Sequence, residues 1–189
     1  MNSMSQANFF VNLIHKTATS SKKPRMVFSA VGLPLFITLM VLFVLAALWV
    51  DGLLGFSQEK ITGRNVVFCI PIIGIGLLLT LWSCYHFFRV KGTPVPLNPP
   101  PKVVNSGPYA YVRNPMITGL FIVFFGLGIL FRSVSLTFIF TPLIIILAWW
   151  ELKAVEEPEL EKRLGEECRK YKKRMPMFFP RFRGGEGGE

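Results

Sequence analysis

The chain has 189 residues, 51% of them hydrophobic and 17% charged, with a formal net charge of +10. A soluble domain carries ~25% charged residues; the clustered apolar residues here, with a mean hydropathy of +0.46, exclude a disordered chain and a disulfide scaffold. A charge of +10 ordinarily points to nucleic acid, so the location of the charges is the first question.

Residues 1–25 read as an N-terminal arm. Phe9, Phe10, Leu13 and Ile14 share one helical face ahead of Lys16, Lys22, Lys23 and Arg25, a pattern that fits a short interfacial helix as well as a disordered segment. Four uncharged stretches follow: residues 26–50, 65–88, 115–131 and 133–150. A membrane helix needs about 20 apolar residues, within a range of about 17–25. The first stretch far exceeds the h-region of a signal peptide, about 7–15 residues, and reads as a retained anchor. The first two stretches span. The last two, separated only by Arg132, read as a tight helical hairpin that either crosses or re-enters, and both cases return the chain to its starting side. The expected fold is all-α: a polytopic membrane helical bundle of about four spans, occupying residues 26–183 and carrying a cytoplasmic amphipathic tail helix. The glycine-rich residues 184–189 are expected to fray.

Of the 21 Lys and Arg residues, 18 lie in alternate segments: the arm, the 89–114 loop and the tail after Trp150. The positive-inside rule places both termini and that loop in the cytoplasm. Divided this way, no segment forms the concentrated basic face of a nucleic-acid binder. Topology and attraction to anionic lipid account for the charge, which makes the membrane and lipid, not nucleic acid, the expected partners. Cys69, Cys84 and Cys168 form no CxxC pair and read as inert thiols. His15 and His86 are too far apart in sequence to suggest a metal cluster, so no metal is expected. Gly74, Gly76, Gly119, Gly126 and Gly128 read as close helix-packing positions.

Two cytoplasmic segments can carry chemistry. Residues 92–115 hold seven prolines and no acid; proline fixes φ and removes a donor, so the segment is stiff and non-helical. It ends in Tyr109, Tyr111, Arg113 and Asn114 at the mouth of the third span, a set that suits either an interfacial belt or a polar ligand. The second segment is the adjacent pair Glu156 and Glu157, placed where the last membrane helix ends. Negative charge there opposes the macrodipole, a penalty that a cationic ligand would offset, although simple solvated acids are the other reading. Pro158 is expected to begin a new helix, with Leu160, Leu164, Cys168, Tyr171 and Met175 as its apolar stripe. Both segments fall on one side, where a zwitterionic ligand with separated charges would fit between them.

The run SGPYAYVRNPMITG, followed by EEPELEKRLGEECRKYKKRMPMFFP, resembles the membrane methyltransferase superfamily, which contains isoprenylcysteine carboxyl methyltransferases and phospholipid N-methyltransferases. The resemblance covers roughly residues 92–180. It implies that these segments hold S-adenosylmethionine at the cytoplasmic membrane face. By motif position, Lys102, Val103 and Val104 fall on a cofactor-binding stretch, Tyr109 on the family's tyrosine, and Asn114, Pro115, Met116 and Ile117 on the His-Pro-x-Tyr cofactor segment. Glu156 falls on the cofactor carboxylate and Glu157 on its partner. The carboxyl methyltransferases have His where this chain has Asn114, Tyr where it has Ile117, and Arg where it has Leu152, beside Lys153. Asn-Pro-Met and Glu-Glu-Pro look like the phosphatidylethanolamine branch, whereas Tyr171, Met175-Pro176 and Pro180 look like the carboxyl methyltransferases. The resemblance therefore implies a phospholipid amine or a prenylcysteine-like carboxylate as the acceptor. Arg113 is expected to hold its phosphate or carboxylate, and Glu157 to act as base towards an amine. Two alternatives remain: an NADPH-dependent sterol or steroid-type membrane reductase, which the acidic pair disfavours, and a non-catalytic membrane adaptor.

Overall fold

The computed structural model describes residues 22–56, 61–90 and 102–180. The expected arm up to residue 21, residues 91–101 of the proline-rich segment and the glycine-rich end lie outside the described residues. The described residues form five helices in order: α1 (Lys22–Leu53), α2 (Gly63–Arg89), α3 (Pro115–Phe131), α4 (Leu136–Leu164) and α5 (Glu166–Arg174), with a 3-10 turn at Gly107–Ala110 before α3. The described residues contain no strand, in agreement with the all-α expectation. The segments Pro34–Leu53, Gly63–Arg89 and Leu136–Leu164 are long and apolar enough to cross a membrane, and α3 is a shorter apolar helix. Among the described side chains, the apolar ones of α1, α2 and α4 are largely exposed, including Leu42, Leu78 and Ile146, as expected of helices whose surroundings are lipid.

Helix α4 differs from expectation. It does not stop at Pro158 but runs on to Leu164, interrupted by two π-helical turns at Leu136–Phe140 and Leu152–Glu156. Each π turn ends just before a proline, Pro142 or Pro158. A proline ring would clash with the carbonyl one α-turn back, and it cannot donate to it; a widened turn relieves both problems without breaking the helix. The Thr141 hydroxyl completes the first turn by donating to the Leu136 carbonyl at 2.7 Å. The break falls instead at Gly165, whose φ of +58° suits glycine. The expected apolar stripe is therefore divided: Leu160 and Leu164 lie on α4, Cys168 and Tyr171 on α5, and Met175 just past its end. About 20 residues cross a bilayer core, which from Leu136 brings α4 to the boundary near Val155, just before the acidic pair.

Helices α2 and α3 form the closest pairing. A Cβ on Gly119 would lie 2.6 Å from the Gly76 carbonyl, one on Gly76 would lie 2.7 Å from the Gly119 carbonyl, and one on Gly126 would lie 2.6 Å from Ile73 Cγ1. With no side chain at these positions the backbones approach, as membrane helices without a hydrophobic drive require. The Thr80 hydroxyl adds a bond to Gly76 O at 2.9 Å and reaches Met116 O across the interface at 3.3 Å. Gly74 does not share this role, since a Cβ there would meet nothing within 4 Å; it faces an apolar groove with Ile70, Leu77 and Leu130.

At the end of the bundle away from Arg113, Asp51 ties α1 to the α3–α4 hairpin. Its buried carboxylate accepts the Ser133 hydroxyl through Oδ2 and the Ser135 amide through Oδ1 at 2.8 Å. Ser133 Oγ in turn accepts the Leu136 amide at 2.9 Å. The hairpin turns on Arg132, in the left-handed region at φ 52°. Asp51 thus satisfies a helix-start amide that has no carbonyl partner within its own helix. Asp51→Ala should cost about 1.5–3 kcal/mol, the range for hydrogen bonds to a charged group, and Asp51→Asn about half of that. Thermal unfolding in detergent checks this; a wild-type melting curve for Asp51→Ala would show that the tie contributes nothing.

Candidate functional site

The site forms where α2 ends, α3 begins and α4 leaves its apolar stretch. Pro115 starts α3 at a position where its missing N–H costs nothing, and Asn114 precedes it with its side chain making no capping bond. The tail closes on this point. After α5 it passes as extended chain along Arg113 and Asn114, whose amides donate to Pro176 O at 2.8 Å and to Met177 O at 3.0 Å. The Thr118 hydroxyl reaches Phe178 O at 3.2 Å, and Phe178 packs edge-on against Phe121 with ring centroids 5.4 Å apart. Tyr171 donates its hydroxyl to Tyr109 O at 2.7 Å.

The two expected segments therefore meet. Arg113 Nη1 donates to Glu157 Oε1. Glu157 Oε2 takes Lys172 Nζ at 2.5 Å, and the same Nζ reaches Glu161 at 2.7 Å. Glu157 is buried, and the Arg113 side chain is 15% exposed. Burial alone would lower the Lys172 pKa, but its hydrogen bonds to Glu157 and Glu161 outweigh this and hold it above the ordinary lysine range. Both oxygens of Glu157, expected as a general base, are thus engaged by cations. Arg113 keeps one buried donor, Nε, without a partner among the described residues.

Glu156 behaves differently from its neighbour. It is half-buried and forms no hydrogen bond or ion pair among the described residues. The charges acting on it are the carboxylates of Glu151, Glu159 and Glu157, opposed by Arg163. A cation placed beside it would relieve the repulsion among these acids. Tyr109, buried in the 3-10 turn, lies within electrostatic reach. Burial pushes its hydroxyl well above the phenol range, and Cys84, Glu156 and Tyr171 push the same way, so it stays a neutral donor.

Lys102, Val103 and Val104 line a cleft of about 250 Å³ together with Ser106 and Glu167. Pro115 is buried; Met116 and Ile117 are half-buried on the first turn of α3, with Met116 Sδ 3.5 Å from Cys84 Sγ and Ile117 packed against the Phe121–Leu152–Phe178 cluster. The structure brings Tyr109, Arg113, Asn114 and the acidic pair together, and it sets the Lys102–Val104 cleft beside α5.

Several contributors carried no sequence signal of their own. Lys172 is one of several cations on a polar face, and its link to Glu157 appears only when α5 folds back. Glu159 is buried and paired with Arg163 at 2.8 Å, although a Glu-x-x-x-Arg spacing on a helix ordinarily reads as a surface pair. His86 is a third. Its Nδ1 lies 3.0 Å from Ser106 Oγ, and Phe87, the next residue, packs its ring 5.6 Å from that of Tyr109.

Breaking a buried ion pair from one side leaves the other charge stranded, at about 3–5 kcal/mol. Glu157→Gln should therefore lower the melting temperature in detergent strongly. Lys172→Met should do so less, because Lys172 is about a third exposed. Equal, small losses for both would mean that the cluster is not a structural link.

Comparison with curated proteins and with solved structures gives no match. A family model described as phospholipid methyltransferase matches residues 65–167. The matched stretch runs from α2 through α4 and takes in Tyr109, Arg113, Asn114 and both members of the acidic pair. It covers more than half of the 189 residues, and the chain belongs to the phospholipid methyltransferase family.

Proposed function

We propose that this membrane protein transfers a methyl group from S-adenosylmethionine to the amine of a phospholipid, at the end of the bundle where α4 emerges. Membership of the family supports methyl transfer and a lipid acceptor. It favours the amine over a prenylcysteine-like carboxylate, and it disfavours both the nicotinamide-dependent reductase and the adaptor. The observation that carries the site is Glu156, a half-buried carboxylate unpaired among the described residues and set among other acids.

That donor set fits the proposed cofactor. When bound, S-adenosylmethionine supplies an already activated sulfonium methyl. Glu156 would hold a cationic or hydroxyl group of it. The Asn114 amide, with both a donor and an acceptor uncommitted to capping, and Tyr109 would fix its polar end together with Pro115, Met116 and Ile117. Lys102, Val103 and Val104 would line the side formed by the cleft. Arg113 would take the phosphate of the lipid headgroup through its remaining Nε donor. We assign Glu157 to orienting Arg113 rather than to proton transfer, since Arg113 and Lys172 occupy its two oxygens. The chain's main contribution is alignment, which can supply up to ~7–11 kcal/mol in favourable cases. The acceptor's acyl chains would remain in lipid while its headgroup enters sideways. The excess of Lys and Arg in the arm, the 89–114 loop and the tail supports a cytoplasmic position for this end and for both termini.

Calorimetry on the purified chain tests the cofactor, and transfer of radiolabelled methyl to phosphatidylethanolamine vesicles tests the acceptor. Glu156→Gln and Asn114→Ala should each weaken S-adenosylmethionine binding by about tenfold or more, the value of a lost hydrogen bond to a charged group. Wild-type affinity in both variants would refute the assignment. Label appearing in a prenylcysteine analogue but not in the amine lipid would refute the acceptor.

A further inference from the structure

His86 stands on the last turn of α2, outside every residue assigned above to the cofactor. Its ring is held edge-on by its own helix, with the Tyr85 ring 5.5 Å away at 89° and the Trp82 ring 6.1 Å away at 70°. On its other side it meets the loop that enters the 3-10 turn. Nδ1 and Ser106 Oγ share one hydrogen bond at 3.0 Å. Gly107 lies flat against the imidazole, so that a Cβ there would come within 2.6 Å of Cδ2 and Cε1, and its φ of +60° excludes most side chains independently. The neighbouring Phe87 ring packs on Tyr109. Two adjacent residues of one membrane helix therefore grip both ends of the Ser106–Tyr109 stretch. Ser106 lines the same cleft as Lys102, Val103 and Val104, and Tyr109 leads directly into Arg113 and Asn114.

We propose that His86 is a positioning residue that fixes the 102–109 loop against α2, by bonding Ser106 and seating Gly107, so that the cleft and Tyr109 are preformed for the nucleoside-bearing cofactor. The proposal rests on the S-adenosylmethionine reading given above. A loop of this kind gains order only from what it touches, and at its Ser106–Gly107 end the contact is one polar bond and one rigid ring. A preformed loop saves ordering entropy at the moment of binding. Its loss therefore falls on cofactor affinity and KM, and not on the chemical step.

The test uses the full chain in detergent or nanodiscs with two readouts. In ligand-free protein, amide hydrogen exchange over residues 102–110 should quicken about fivefold to tenfold in His86→Ala and in Ser106→Ala, the value of one lost hydrogen bond. The double variant should be no worse than either single variant. His86→Asn, whose amide can occupy the Nδ1 position, should recover part of the protection. The KM for S-adenosylmethionine should rise by a similar factor in His86→Ala, while kcat with phosphatidylethanolamine vesicles stays within about twofold to threefold. Wild-type exchange in His86→Ala, or a fall in kcat with KM unchanged, overturns the positioning role while leaving the cofactor assignment intact. Absence of S-adenosylmethionine binding by the wild-type chain overturns the cofactor reading and this proposal with it.

Discussion

The Glu157 carboxylate, shared between Arg113 and Lys172, sits where an apolar helix gives way to a charged one. A buried charge there needs partners, and Glu157, unlike the half-buried Glu156, has one on each oxygen. Its two partners lie outside its own helix, one before α3 and one on α5. Satisfying this one group brings together three parts of the chain: the loop into α3, the exit of α4, and α5. The backbone bonds from Arg113 and Asn114 to Pro176 and Met177 extend the same closure. The tail lies mostly beyond the stretch matched by the family, yet it forms one wall of the site.

The α2–α3 pairing serves the site from below. Glycines at the contact let the two backbones approach to carbonyl distance, which sets the last turn of α2 close beside the chain entering α3. Only at that spacing can short side chains such as Ser106 and rings such as Phe87 bridge the gap. Small residues in mid-membrane thus govern how rigidly a boundary loop is held. The Asp51 tie works at the opposite end; it holds the hairpin shut without touching ligand groups.

The architecture was legible in the sequence because lipid leaves few choices: stretches of 17–25 uncharged residues become helices, since nothing else satisfies their backbone. The start and end of α3 appear in the sequence as Pro115 and the residue before Arg132. The meeting of Arg113 with Glu157 was legible as two segments on one side, but not as an ion pair, because their separation in sequence says nothing about distance. The second half of the Glu157 interaction was hidden, as Lys172 is one of several similar cations on α5. Pro158 misled, because proline at a helix start and proline after a π turn look alike in sequence. Gly74 misled for a related reason: a glycine in a membrane helix says that a backbone is bare, not that another helix lies against it. Asp51 carried no sequence signal of its own, because its hydrogen-bond partners Ser133 and Ser135 lie across the bundle.

The π turn at Leu152–Glu156 has a consequence for how the acidic pair is aimed. One extra residue in a turn swings everything beyond it by roughly 100° about the axis relative to an uninterrupted α-helix. Glu156 is the last residue inside that slip and Glu157 the first beyond it. Their headings are therefore set by a count of residues and not by their own chemistry. Two identical side chains, adjacent in the chain, are dealt different tasks: one is locked into the protein's own cations, the other is left facing acids. A deletion within the turn would change no functional group, yet it would turn the acidic pair relative to the apolar helix that precedes it.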